Sequence, residues 1–401
     1  MNENNNTKKI LSVIISFLTI YFAGGNRLPN WFFTAVGGVL LLYLLWKQKS
    51  WKIDLGFCLL ACTLGSYYGI VHGIRGLFFM ILYLPLVFYL LAEHSAVEFR
   101  KMGTCEAKEG ITVLSMTLIC GFALHGILNA YMYYAGYVVP GTRRWHDFFI
   151  GEIVPGTQHT AYFLPVLAVV VPAVLYFKSS KKDWWLRVLG GLTAVFFLYT
   201  SLATRSRMPL VIFVIVGGLQ LLLFCIFEKE KVRKLCRDQR FLAVVLIFCA
   251  AAVIGIFLVK DSAVIVAFIE NMGKGGGILN NVRFQAQRQA LLQLFDHPLG
   301  GRQMELGRTY CHNTWLDMAN AGGVIPFFAF AAYTVFSFYQ LICLLRKKEF
   351  SSELKLAAAG LYMAFFLYMS VEPLFDAPTE FLVPWIYING LISGLLRKEN
   401  A

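Results

Sequence analysis

Residues 208–227 have the sequence MPLVIFVIVGGLQLLLFCIF, which contains no charged side chain. About twenty apolar residues in an α-helix are enough to cross the ~30 Å hydrocarbon core of a membrane, so this stretch predicts a membrane-spanning helix. The rest of the chain is similar, because 58% of its residues are hydrophobic, 15% are charged and its mean hydropathy is +0.62. Soluble domains have about 25% charged residues. The composition therefore predicts an integral membrane protein.

The apolar stretches outside 208–227 extend this prediction to an all-α fold with twelve transmembrane helices in one membrane domain, 1–401. The predicted spans are roughly 10–25, 31–46, 53–71, 75–92, 111–136, 158–177, 186–204, 208–227, 241–260, 324–345, 355–371 and 379–396. The long connection 261–323, between spans nine and ten, is predicted to be an extracytoplasmic loop that contains short amphipathic helices. No cleavage site follows residue 25, so the first span is expected to be retained.

The distribution of basic residues predicts the orientation. With the N-terminus inside, 24 of the 36 Lys and Arg residues lie in the inner segments, as expected for cytoplasmic loops. Both termini are therefore predicted to be cytoplasmic, in the cytoplasmic (inner) membrane of a bacterium. The net charge of +13 suits either nucleic acid or an anionic membrane. Because so few residues are charged, we expect membrane lipids to be the partner and nucleic acid not to be.

The twelve basic residues on the predicted outer side are mostly arginine. Lys is enough to set orientation, whereas the planar guanidinium of Arg binds phosphate or carboxylate through two hydrogen bonds. The outer arginines therefore indicate an anionic ligand, with outer salt bridges as the alternative. The outer basic residues are Arg27, Arg75, Arg143, Arg144, Arg205, Arg207, Lys260, Lys274, Arg283, Arg288, Arg302 and Arg308.

Residues 204–209 place two arginines at the start of a span. Ser206 is a plausible N-cap and Pro209 is tolerated in the first helical turn, so the free N–H groups of the helix would lie beside Arg205 and Arg207. A helix N-terminus with two guanidiniums is an anion-binding site. The alternative is an interfacial turn whose arginines contact lipid headgroups.

A helix is predicted from Val282 to Phe295. Arg283 and Arg288 are about 140° apart around such a helix and should not face one target. Further along, Thr314 and Asp317 have the spacing of a capping box, which predicts a short helix with His312 just before it. His is the side chain best suited to take a proton near neutral pH, although a single loop His usually has no such role.

The loop 137–157 carries Arg143 and Arg144 beside Trp145. Its aromatic residues could stack on sugar rings, but Trp and Tyr also favour the membrane interface. The nine cysteines show no C-x-x-C pair and no metal-ligand spacing, so neither a disulfide framework nor a zinc site is expected. No Asp-x-Asp metal site is evident, and no cofactor is predicted.

Three of these segments together resemble the O-antigen ligase and polymerase superfamily of bacterial membrane glycan transferases. The resemblance covers roughly residues 140–345 and rests on weak motifs in a fixed order. Pro326 and the loop from Arg143 to Thr160 depart from the pattern. The motifs are Ser206-Arg207 after a span, Arg283 at the head of a helix that ends in His297-Pro298-Leu299-x-Gly301, and His312-Asn313 leading into Gly322-Gly323-Val324-Ile325.

The resemblance implies transfer of a glycan from undecaprenyl diphosphate to a hydroxyl of a lipid, glycan or protein acceptor, with inversion and without a metal. It makes His312 the expected base. Arg207 and Arg283 would bind the diphosphate, supported by Arg205 and Arg288, while Asn313, Arg143 and Arg144 would support the acceptor side. The alternatives are a repeat-unit polymerase of the same superfamily and, in a different class, a twelve-span transporter of lipid-linked glycan.

Overall fold

The computed structural model describes residues 2–49, 53–77, 83–102, 104–177, 184–237, 282–375 and 379–397. These residues form fifteen α-helices and one β-hairpin. The helices are α1 Asn2–Ala23, α2 Asn30–Gln48, α3 Leu55–Leu77, α4 Leu84–Lys101, α5 Thr104–Tyr134, α6 Gly156–Ala161, α7 Leu164–Leu175, α8 Trp184–Ala203, α9 Met208–Phe227, α10 Lys229–Arg237, α11 Val282–Leu292, α12 Thr314–Gly322, α13 Val324–Arg346, α14 Ser352–Met369 and α15 Leu382–Leu396.

Eight segments of the described chain are long and apolar enough to cross a membrane, which confirms an all-α membrane protein. Each overlaps a predicted span. The eight are Asn6–Ala23, Asn30–Gln48, Leu55–Gly73, Lys108–Tyr134, Gly156–Leu175, Trp184–Ala203, Met208–Phe227 and Val324–Arg346.

The other four predicted spans have different outcomes. The span 241–260 lies outside the described residues, as does the first part of the loop, 261–281. Helices α14 and α15 occur where spans were predicted, whereas α4 overlaps only the second half of the predicted span 75–92; none of the three is among the eight. Charged residues reduce the apolar length of α4 and α14, and α15 has 15 residues. Twelve spans therefore stay a prediction.

Helix α9 shows why these helices suit a membrane. One face buries Ile212, Val216 and Phe224, at intervals of one or two helical turns, while the opposite face leaves Val214 70% exposed. When a helix is apolar on its exposed face as well as on its packed face, contact of the exposed face with water is unfavourable in free energy. Lipid is the environment that matches the exposed side.

Helices α4 and α15 pack most closely, through glycines at a spacing of four. A Cβ atom added to Gly390 would lie 2.2 Å from the carbonyl oxygen of Tyr89, and one added to Gly394 would lie 2.4 Å from that of Glu93. Small residues at this spacing let two helix backbones approach each other directly. The pair α4–α15 therefore forms the centre of the bundle.

Side chains from the predicted inner segments meet one another. Arg397, after the last helix, pairs with Glu93 at 3.1 Å, and Arg187 pairs with Glu353 at 2.7 Å. Arg100 donates to the carbonyl oxygen of Leu395 at 2.8 Å, where the free carbonyls of α15 attract a cation. These contacts place the predicted inner segments at one end of the bundle.

Three predicted outer segments meet around a buried ion-pair network. The guanidinium of Arg27 lies 3.2 Å from Oδ2 of Asp147 and 2.6 Å from Oε1 of Glu380. Asp147 is fully buried and also accepts from the backbone N–H of Phe149 at 2.9 Å. The rings of His125 and His159 each lie 3.9 Å from Asp147. A buried charge is stable only when it is paired with an opposite charge. The network therefore holds the three segments together.

Asp147 lies in the turn of an antiparallel β-hairpin that the sequence did not predict, directly after the first strand. Strand β1, Arg144–His146, pairs with β2, Ile153–Pro155, with Trp145 opposite Val154. Trp145 is buried and stacks on the ring of His159 at 4.4 Å between centroids. The hairpin therefore anchors the loop 137–157 to the neighbouring helices and holds Asp147 in its turn.

We predict that Asp147→Asn destabilises the protein in a pH-dependent way. Burial alone would raise the pKa of Asp147, but His125 and the charge of Arg27 hold it well below its usual range. The ionised carboxylate then stabilises the fold above the unfolded pKa of about 3.9, and this contribution is lost as the pH falls below that value. At neutral pH the substitution should cost on the order of 3 kcal/mol, because Arg27 loses a charged partner.

The measurement is chemical unfolding of the purified protein in detergent at several pH values. The difference between wild type and Asp147→Asn should shrink below about pH 4. The matched control is Asp296→Asn, an exposed carboxylate whose substitution should change stability by less than about 0.5 kcal/mol. A difference that stays constant across the pH range would show that the ionised form of Asp147 does not support the fold.

Candidate active site

His312 lies directly before α12, as predicted, with its ring directed at Glu372. Its backbone has a φ of 55°, a left-handed conformation that is uncommon for a residue other than glycine. Nδ1 of the ring lies 3.4 Å from Oε2 of Glu372, and 21% of the side chain is exposed. The ring is therefore oriented by a carboxylate and remains accessible.

The cap of α12 differs by one residue from the prediction. Asn313, not Thr314, is the N-cap: its side chain accepts from the backbone N–H of Leu316 at 3.2 Å. Asp317 accepts from the backbone N–H groups of Asn313 at 2.9 Å and Cys311 at 2.8 Å. This network fixes the backbone on both sides of His312.

Thr314 has a different role, because its hydroxyl connects α12 to the segment after α14. The hydroxyl donates to the carbonyl oxygen of Glu372 at 2.7 Å and accepts from the N–H of Leu374 at 3.4 Å. Asn313 contributes a second connection, donating to the carbonyl oxygen of Ser370 at 3.3 Å. Glu372 is therefore positioned from the same short helix that positions His312.

Arg283 and Gln287, one turn apart on α11, face this site together. Nη1 of Arg283 lies 3.7 Å from Oε1 of Glu372 and donates to the carbonyl oxygen of Val371 at 3.2 Å. Gln287 donates to the carbonyl oxygen of His312 at 3.2 Å. Arg283 and His312 therefore contact the two oxygens of one carboxylate, that of Glu372.

Two motif segments of the sequence contact each other backbone to backbone beside this site. The N–H of Gly301 donates to the carbonyl oxygen of Ala321 at 2.9 Å, and that of Val324 donates to the carbonyl oxygen of Pro298 at 2.9 Å. Gly323 has a φ of 83°, and a Cβ there would lie 2.2 Å from the carbonyl oxygen of Pro298. Glycine is required at this junction because the two segments touch.

Arg143, Arg205 and Arg207 form a second group at the start of α9. Nη1 of Arg143 donates to the carbonyl oxygen of Arg205 at 3.5 Å. The pKa of Arg207 is lowered by partial burial and by the charge of Arg143. In the described part of the chain, no carboxylate lies within ion-pair distance of these three arginines. Positive charges gathered without a counter-ion are suited to an anionic ligand.

One prediction about this group is wrong. Ser206 is not an N-cap, since the N-cap position of α9 belongs to Arg207 and has no side-chain hydrogen bond. Ser206 is buried and its N–H donates to the carbonyl oxygen of Ser201 at 2.8 Å, so it closes the end of α8 instead. Arg144 is exposed on β1 and has no described contact with Arg207 or His312.

Helix register places the two groups at the same depth. Gln220 of α9 donates to the carbonyl oxygen of Leu356 at 2.9 Å and lies against Gly360, both on the antiparallel helix α14. Thirteen residues from Gln220 towards the start of α9 lead to Arg207. The same number from Leu356 along α14 leads to Met369, the last residue of that helix and three residues before Glu372. Since both helices rise about 1.5 Å per residue, Arg207 lies about level with the end of α14, and Glu372 is in the turn that follows.

Arg288 does not join either group. It is exposed and lines a cleft on another side of α11, as the angle of about 140° from Arg283 predicts. Glu372, in contrast, was not singled out from the sequence, although it contacts both Arg283 and His312. The loop that contains it carries several acidic residues, and pattern alone does not distinguish the one that pairs.

Among the described residues, no group of three or more His, Cys, Asp and Glu side chains is placed to bind a metal ion. No protein-family model matches the chain, and no curated protein matches its sequence significantly. What the protein does must therefore be inferred from its own side chains.

We predict that Thr314→Val loosens Glu372. The substitution leaves the carbonyl oxygen of Glu372 and the N–H of Leu374 without their buried partner, which should cost about 1–3 kcal/mol of stability. Hydrogen exchange should increase in 370–375. Thr193→Val is the matched control, since that hydroxyl bonds only within its own helix on the exposed face of α8. Equal exchange in both variants would contradict the role given to Thr314.

Proposed function

We propose that the protein is an O-antigen ligase-like glycosyltransferase of the bacterial cytoplasmic membrane. It moves a glycan from undecaprenyl diphosphate to a hydroxyl acceptor at the outer face, by inversion and without a metal. In this proposal the chain has twelve spans, the loop 261–323 is extracytoplasmic and both termini are cytoplasmic. The observation that carries it is the arrangement of His312 and Arg283 on one buried carboxylate, level with the unpaired Arg207.

The arginines supply what the leaving group needs. Cleavage of the bond between the anomeric carbon and the phosphate oxygen transfers an electron pair to the diphosphate, whose growing charge must be stabilised. Arg207 and Arg283 are the proposed binding residues. Arg143 and Arg205 add positive charge beside Arg207, and the N-terminus of α9 adds its free N–H groups.

His312 is the proposed general base. When Glu372 accepts a hydrogen bond from Nδ1–H, the lone pair of Nε2 is free to take the proton of the acceptor hydroxyl. The hydroxyl oxygen then forms the new bond to the anomeric carbon while the diphosphate leaves. The carboxylate of Glu372 stabilises the imidazolium that results, as in other sites where a third group orients the base.

The surface next to this site suits a lipid-linked donor. Helix α11 exposes Phe284 and Leu291 on one face, and Phe295 is exposed in the turn after the helix, where its ring lies 6.3 Å from that of Phe328 on α13. Helix α13 is one of the eight membrane-crossing segments, so the apolar face of α11 continues onto a surface that faces lipid. A polyprenyl chain in the bilayer could therefore present its diphosphate near Arg283.

Deletion of the gene followed by glycan analysis tests the proposed function. We expect full-length glycan to accumulate on the carrier lipid, because its transfer to the acceptor is the missing step. An acceptor that carries a single repeat unit would indicate a polymerase. Unchanged glycan together with precursor trapped inside the cell would indicate a transporter and would contradict the proposal.

Substitutions in purified enzyme test the assigned residues. His312→Ala should abolish most transfer from a lipid-linked donor. Arg207→Lys keeps the charge but loses the two-bond geometry, and should reduce turnover by about 1.5–3 kcal/mol, which is roughly ten- to a hundredfold. Arg346→Lys, at the opposite end of α13, is the matched control. Full activity of His312→Ala, or a loss of activity with chelator that Mg²⁺ restores, would overturn the corresponding assignment.

A further inference from the structure

The eleven residues of helix α11 face four different environments around the helix axis. Ala286 and Ala290 are buried, and Arg283 and Gln287 face the His312 site. Phe284 and Leu291, with Phe295 in the turn after the helix, form the exposed apolar face described above. The remaining sector carries Gln285 and Gln289, one turn apart, and Gln293 follows in the turn directly after the helix.

The glutamine sector lines an open cleft of about 700 Å³. This volume is within the range of sites that bind small organic ligands. Most of the lining side chains end in amides or charged groups. The lining residues are Val282, Gln285, Arg288, Gln289, Gln293, Glu305, Leu306, Gly307 and Arg308.

Both walls of the cleft are fixed by the fold. Gln293 accepts from the backbone N–H of Glu305 at 2.8 Å and donates to its carbonyl oxygen at 3.4 Å, which joins the helix to the facing loop. Beneath the cleft, Ala286 and Ala290 of the helix share one buried cluster with Met304 and Leu306 of the loop. The contacts between the helix and the loop therefore set the shape of the cleft.

Apart from Gln293, the polar side chains that line this cleft are available to a ligand. Within the described chain, Gln285 and Gln289 make no side-chain hydrogen bond. Arg288, Arg308 and Glu305 likewise make no side-chain hydrogen bond or ion pair there. An amide both donates and accepts, which matches the hydroxyl groups of a sugar. Since no described lining residue is aromatic, recognition would depend on hydrogen bonds and charge.

We propose that this cleft binds the sugar units of the glycan being transferred, beyond the sugar that reacts. The proposal rests on the proposed function, and it assigns Arg288 to the glycan rather than to the diphosphate. Gln287 contacts the backbone of His312 from the same helix, so the cleft and the reacting position are about one helix diameter apart, near 10 Å. A glycan of a few sugars spans that distance.

Binding of lipid-free glycan to the purified full-length protein tests this proposal. The probe is the size-fractionated glycan released by mild acid from the envelope of the source bacterium, followed by saturation-transfer NMR. The double variant Gln285→Ala/Gln289→Ala should weaken binding about tenfold or more, because two hydrogen bonds are removed. Gln303→Ala, an exposed glutamine of the same loop outside the cleft, is the matched control and should bind like wild type.

A transfer assay separates this proposal from the proposed function. The double variant should lose activity on donors with long glycans while it keeps wild-type activity on a donor with one sugar. Equal glycan binding by wild type and the double variant, or no binding to wild type, would overturn the cleft assignment. Glycan binding that depends on the cleft in a protein that transfers nothing would support the cleft and contradict the transferase.

Discussion

The carboxylate of Glu372 is the group on which the site depends. It is mostly buried, its side chain being 10% exposed, and its two oxygens lie near Arg283 and His312. A buried carboxylate without partners would have a high free energy, so the folded state favours conformations in which the guanidinium of Arg283 and the ring of His312 both approach it. Since those side chains come from α11 and from the residue before the N-cap of α12, one carboxylate fixes the distance between the proposed diphosphate-binding residue and the proposed base.

The buried ion pairs of the outer network fix the relative positions of whole segments in a similar way. Arg27, Asp147 and Glu380 come from segments that are far apart in the sequence, and together they exclude alternative arrangements of three loops. Tyr368, with a buried hydroxyl, lies within electrostatic reach of both Glu372 and Glu380. The network and the candidate active site are therefore connected through the end of α14.

The sequence predicted the helices well because a membrane imposes a minimum apolar length, which composition reveals directly. It also predicted that His312 precedes a helix and that Arg283 lies at the start of one, because capping residues and apolar spacing mark helix boundaries. Asn313 was missed as the N-cap because Asn and Thr cap helices about equally well, and only the contact of Thr314 with Glu372 decides between them. Ser206 failed as a cap for a related reason, since its N–H completes the preceding helix.

Side-chain contacts between segments that are far apart in the sequence could not be predicted from local sequence patterns. Nothing local marks Asp147 as the partner of Arg27, or Glu372 as the acid that contacts His312. The β-hairpin was missed because its strands have three residues each, too few for an alternating pattern to be recognised.

Helix α11 is short, but the side chains on its different faces contact different parts of the site. At about 100° per residue, neighbouring positions face different surroundings, so Arg283, Phe284 and Gln285 face the active site, the apolar side and the cleft in turn. Positions four apart repeat each surrounding, which pairs Arg283 with Gln287 and Gln285 with Gln289. In the proposed reaction, the diphosphate, the lipid and the glycan of one donor are separated in the same order. A helix of three turns is therefore enough to orient a long substrate in three directions at once.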